Sequence, residues 1–114
     1  MLANLQKLHK QIEKVSGPNR ALDALIARTL TCAQHQVPEA PYTSSVDDCL
    51  RLIGSVLPGW HWHVGHGPTG ILPYATLSAP ASAAGAPGAR VEASAPTVPL
   101  ALLRATTKAI MVQE

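Results

Sequence analysis

The stretch Gly59-Trp60-His61-Trp62-His63-Val64-Gly65-His66-Gly67 constrains this chain more than any other. Apolar and polar residues alternate strictly between its flanking glycines. A period of two belongs to an extended strand with two unlike faces. Trp60, Trp62 and Val64 fall on one face, His61 and His63 on the other. Both tryptophans of the chain lie here, and there is no phenylalanine. The remaining apolar residues are mostly Ala, Leu and Val, so the core is light. The stretch is expected to be the first strand of a small sheet, with both tryptophans buried.

Helical periodicity precedes it. Leu2, Leu5, Leu8, Ile12 and Val15 recur every three or four residues, and Lys7, Lys10 and Lys14 lie off that stripe. Ser16-Gly17-Pro18-Asn19 ends this helix, and Leu22, Leu25, Ile26 and Leu30 give a second helix its apolar face. Residues 1–31 therefore read as a helical hairpin. Its narrow first stripe suits either another copy of the chain or packing onto the sheet. Residues 32–43 read as a loop carrying Tyr42, either a contact residue or a lid over the core. Ser44 or Ser45 can cap a third helix, with Val46, Cys49, Leu50, Ile53 and Leu57 inward.

Two more strands follow. Residues 71–78 form the second, with Pro73 arguing for an edge or a bulge. Residues 79–88 are small and turn-forming, a mobile loop in expectation. Arg90, Glu92 and Ser94 alternate with Val91, Ala93 and Ala95 in the third. Thr97 caps a last helix whose stripe is Leu100, Leu103, Ile110 and Met111, with Arg104 and Lys108 one turn apart. The order ααα-βββ-α gives an α+β fold: a three-stranded antiparallel meander packed between helices, αβα-sandwich-like. The sheet-and-helix core spans residues 42–112.

Composition excludes several classes. A net charge of +2 over 114 residues leaves no footprint for a nucleic acid polymer. No apolar run approaches the ~20 residues that span a bilayer, and residues 1–7 lack the apolar run of a signal peptide. Cys32 and Cys49 share no metal-ligand spacing, and two reduced thiols in the cytoplasm are expected.

Several stretches together resemble the phage ABA-sandwich domain family of small bacteriophage proteins. They are Gly17-Pro18-Asn19-Arg20-Ala21-Leu22-Asp23-Ala24-Leu25-Ile26, Tyr42-Thr43-Ser44-Ser45-Val46-Asp47, Pro58-Gly59-Trp60-His61-Trp62 and Pro99-Leu100-Ala101-Leu102-Leu103-Arg104-Ala105. Their order and spacing cover most of residues 17–109. The resemblance implies a sheet between helical layers and the cytoplasm of an infected bacterial host. It implies no catalytic residues.

Three functions fit. The first is a non-enzymatic phage accessory protein, a counter-defence sponge that sequesters a nucleotide-derived host signal. Aromatic rings would stack on a base, and His and Arg would hold phosphate. The ligand-binding candidates are Tyr42, His61, His63, Tyr74, Arg90 and Arg104. The second is an interaction or assembly factor for a phage or host protein. The third is a metal-dependent enzyme, with His61 and His63 as ligands and His66 or Glu92 as the third. The first is preferred, with no cofactor and no metal, and with the chain as a homo-oligomer. Sheet residues that alternate polar with apolar also imply a polar face, open to solvent or lining a polar cavity. That face is where a site is expected.

Overall fold

The computed structural model describes residues 2–31, 37–66, 73–80 and 88–113. Its elements are α1 (Leu2–Lys14), α2 (Arg20–Thr31), α3 (Val46–Val56), β1 (His61–His66), β2 (Pro73–Ser78), β3 (Arg90–Ser94) and α4 (Val98–Gln113). The three strands form one antiparallel sheet in the order β1-β2-β3. The fold is α+β, four helices packed with a three-stranded meander. The expected mobile loop falls mainly on residues 81–87, outside the described residues, as do Cys32 and residues 67–72.

α4 is the hub. It packs on β2 and β3, and α1 and α3 pack on it in turn. Leu100, Ala101, Leu102, Leu103, Ala105, Ala109 and Ile110 are all buried. Those positions run round most of the helix, wider than the single stripe that periodicity suggests. Thr106 and Thr107 are buried too. Thr106 Oγ1 donates to the Leu102 carbonyl at 2.7 Å, and Thr107 Oγ1 to that of Arg104 at 3.0 Å. Bonding back to the preceding turn lets a hydroxyl sit in a core without an unpaired donor.

The apolar stripe of α1 is satisfied within the chain. Leu5, Leu8 and Ile12 are buried, and α1 packs on α4 and α2 rather than on the sheet. These three side chains thus find their packing partners inside the chain. Beside this contact His9 bonds Thr107 Oγ1 and lies 3.5 Å from the Glu13 carboxylate.

Helix starts follow the sequence closely. Asn19 Oδ1 accepts from Leu22 N–H at 2.9 Å at the start of α2, and Ser45 Oγ accepts from Asp48 N–H at 3.2 Å at the start of α3. The two starts are joined. Buried Thr43 accepts from Asn19 N–H through Oγ1 at 2.8 Å and donates its own N–H to Asp23 at 2.8 Å. Gly59, at φ 84°, makes the left-handed turn that carries α3 into β1.

Three expectations need correction. β2 is the central strand, not an edge. Pro73 is tolerated because it stands at the strand's first residue, where its carbonyl accepts from Ala95 N–H at 3.1 Å. Trp62 is 49 % exposed, whereas Trp60 is 8 % exposed. Trp60 precedes the strand and enters the core. Trp62 lies on β1, which α4 covers far less than β2 and β3. On α3, Leu52 and Val56 are buried in place of the half-exposed Val46 and Leu50.

Two outcomes are expected. Replacing Trp60 with Ala should cost about 3–5 kcal/mol in urea denaturation, and replacing Trp62 less than about 1 kcal/mol. The second concerns pH. Burial, followed by the smaller effects of Lys108 and Arg104, holds the His9 pKa below 6.5 against an opposing pull from Glu13. A histidine with a depressed folded pKa binds fewer protons folded than unfolded. Its contribution is therefore complete above about pH 6.5 and is lost as pH falls below it. Melting between pH 7 and 5 should show this loss, and His9→Gln should flatten the slope.

Candidate functional site

Strand register sorts the sheet into two faces. Trp62, Val64, Ala75, Leu77, Val91 and Ala93 share the side that α4 covers, where Ala75, Leu77 and Ala93 are buried. The other side is polar and open. Its first cross-strand row is His61, Ser78 and Arg90; its second is His63, Thr76 and Glu92; its third is Gly65, Tyr74 and Ser94. His61, His63, Arg90, Glu92 and Ser94 are all exposed. Of the two forms expected for the polar face, solvent exposure is the one present.

The centre of this face is a contact between two neighbouring rows. His63 Nε2 and the Tyr74 hydroxyl lie 3.1 Å apart in a hydrogen bond. Their ring centroids are 5.8 Å apart, with planes tilted by 40°. Gly65, directly opposite Tyr74, makes room for it. A Cβ on Gly65 would stand 3.2 Å from the Tyr74 hydroxyl and 3.3 Å from its ring. The tyrosine ring thus lies across β1 toward His63. The bond fixes two aromatic rings side by side, with solvent on their outer surfaces.

Four of the six sequence candidates therefore share one face: His61, His63, Tyr74 and Arg90. The other two lie elsewhere. Tyr42 is 3 % exposed, and its hydroxyl donates to the Pro38 carbonyl, the arrangement of a lid over the core. Burial, then the Asp48 carboxylate, pushes its pKa up. Tyr42 also lines a cleft of about 270 Å³ between the 37–42 segment and α3, as do Asp48 and Arg51, which are paired at 3.1 Å. Arg104 is held by backbone. Its guanidinium donates to the Ser94 carbonyl at 2.8 Å and to the Glu13 carbonyl at 3.0 Å, tying β3 and α1 to α4.

Among the described residues, no three His, Cys, Asp or Glu side chains converge on a point. His63 and Glu92 stand on strands one apart in the sheet, with Thr76 between them. Cys49 is buried, and its thiol donates to the Tyr42 carbonyl at 3.0 Å. Burial first, then Asp48 and Asp23, pushes its pKa up to about 12. That environment suppresses the thiolate on which reactivity depends.

His9 and the Asn19–Thr43–Asp23 cluster escaped the sequence reading. The first carries no local signal, and the second joins segments about twenty residues apart. Among the described residues, no helix is long and apolar enough to cross a membrane. The chain matches no family model, no curated protein and no solved structure.

The thiol gives a direct check. In a Cys32→Ser background, Cys49 should resist iodoacetamide at pH 8 in the native protein and react once urea unfolds it. Rapid native labelling, read by mass spectrometry, would contradict this burial.

Proposed function

We propose that the chain is a non-enzymatic binding module whose working surface is the polar face of the sheet. Its ligand on this reading is a nucleotide-derived anion. The observation that carries the proposal is the His63–Tyr74 pair, held over Gly65 on an exposed face with His61 and Arg90 in the same field of side chains. Aromatic rings offer stacking to any base, and Arg and His offer charge-assisted bonds to phosphate. A face built from three rows of side chains suits a flat or extended ligand lying across the strands. Stacking and ion pairing hold such a ligand without converting it, so the reading is capture. The resemblance to phage ABA-sandwich proteins supports an accessory, counter-defence role in an infected bacterial cell.

A second reading, a protein-interaction factor, is favoured by one observation. Trp62 is an exposed tryptophan on an edge strand, and exposed aromatics anchor protein contacts.

Calorimetric titration against cyclic oligonucleotides and cyclised ADP-ribose species separates the two. Binding is expected for at least one member. Stacking is worth roughly 1–3 kcal/mol per base, so Tyr74→Ala should weaken it by roughly 5- to 150-fold. Arg90→Ala should weaken it too, while Trp62→Ala should not. Chromatography after heating should recover the ligand unchanged; a converted product would make the protein an enzyme. No binding across the panel would return the protein-interaction reading.

A further inference from the structure

The two edges of the sheet are treated differently. Pairing directions follow from the bonds at the strand ends. Ala95 N–H donates to the Pro73 carbonyl, and Ala79 N–H to the Ala89 carbonyl. Backbone groups on β2 alternate in direction, so Pro73, Ala75 and Leu77 point toward β3, and Tyr74, Thr76 and Ser78 toward β1. On β3, the backbone of Arg90, Glu92 and Ser94 then points away from the sheet. Two of those outward carbonyls are already occupied from α4. Lys108 Nζ donates to Glu92 O at 3.0 Å and Arg104 to Ser94 O at 2.8 Å. Arg90 and Glu92 add exposed charges to this edge. Charge and covering side chains are the ordinary protections of an edge strand.

β1 has neither. On it His61, His63 and Gly65 bond inward to β2, so the N–H and C=O groups of Trp62, Val64 and His66 point outward. The strand His-Trp-His-Val-Gly-His contains no Lys, Arg, Asp, Glu or Pro. The side chain of Trp62 is half exposed beside these backbone groups, on the side of the sheet that holds the helices.

We propose that β1 pairs with β1 of a second copy of this chain, antiparallel and about a two-fold axis, giving one continuous six-stranded sheet. The occupant is a second copy because the strand is complementary to itself. An axis at His63 sets Trp62 opposite Val64 of the other copy, and Val64 opposite Trp62. Each such pair exchanges two backbone bonds, because both residues direct their N–H and C=O outward. Paired residues in an antiparallel ladder share a face, so both apolar pairs fall on the helix-bearing side. The polar faces of the two copies then run together, with the two His63 residues adjacent at the axis. An isologous contact of this kind closes on itself and forms a dimer rather than a fibre. The inference is independent of any ligand.

Light scattering during gel filtration tests it on the full chain. At about 100 µM, well above a micromolar dissociation constant, the mass should be twice the 12.0 kDa of one chain. Val64→Pro removes an outward donor and leaves the β1–β2 bonds intact. Trp62→Lys places a charge on the edge. Each variant should be monomeric with an unchanged circular dichroism spectrum. Amide exchange in the unmodified protein gives a readout that needs no variant. Trp62 and Val64 amides should be protected, and dilution should release them before the amides of β2. A monomeric unmodified protein, a dimer that survives in either folded variant, or Trp62 and Val64 amides that exchange freely in the dimer would each overturn the proposal.

Discussion

The structure depends on α4 being enclosed from several directions at once. A light core gains little from any single contact, since Ala and Val bury less apolar surface than Phe or Trp. Enclosing one helix between a sheet and two other helices compensates by making nearly every residue of that helix count. Ala101, Ala105 and Ala109, spaced four apart and fully buried, form a row of small side chains along it. Such a row lets a neighbouring backbone approach closely, where larger side chains would hold it off. Thr106 and Thr107 fit the same interior because their hydroxyls are satisfied by α4's own carbonyls. The sheet, which the Trp/His strand makes so conspicuous in the sequence, is one of several surfaces arranged on this helix.

Much of the fold was legible because local periodicity and local punctuation agreed. Gly17-Pro18-Asn19 separates α1 from α2, Ser45 caps α3, and Pro58-Gly59 turns α3 into β1, each by a device acting within a few residues. Errors arose where tertiary position decided the outcome. Alternation placed Trp62 on the apolar face correctly, but alternation cannot say how far a helix extends across that face. Pro73 forbids an interior position of a central strand, yet it is admissible at the strand's first residue. That distinction depends on where the strand begins. The α4 stripe was too narrow because hydrophobic periodicity identifies the most apolar side of a helix, whereas burial here extends to Ala and Thr.

The candidate site was legible in part for the same reason. His61 and His63 share a face by period two, a purely local fact. Bringing Tyr74 to His63 depends on the β1–β2 register and is eased by the missing side chain at Gly65, and neither is visible in one strand alone. Tyr42 and Arg104 have the residue types of ligand contacts, but the Tyr42 hydroxyl and the two terminal nitrogens of Arg104 answer backbone carbonyls. The stretches containing Asn19, Asp23 and Thr43 carried part of the family resemblance. In space those three residues form one clasp between α2 and the entry to α3.

The polar face stands apart from this framework. Thr76 lies at its centre and is only 6 % exposed, while its row neighbours His63 and Glu92 are open to solvent. α4 packs on the opposite side, where Ala75, Leu77 and Ala93 are buried. Nothing in the packing of α4 requires histidine at 61 or 63 or arginine at 90, because none of these side chains enters the core. A solvated strand face could be built from Thr, Ser and Lys with equal or better strand propensity. An aromatic pair fixed by a hydrogen bond over a glycine is a more specific arrangement than solvation demands. Gly65 itself weakens a strand interior, where it has no side chain to pack. The position that gives up strand stability is the one that lets the Tyr74 ring reach His63, which is why the polar face, rather than the 270 Å³ cleft beside Tyr42, is the place to look for this protein's activity.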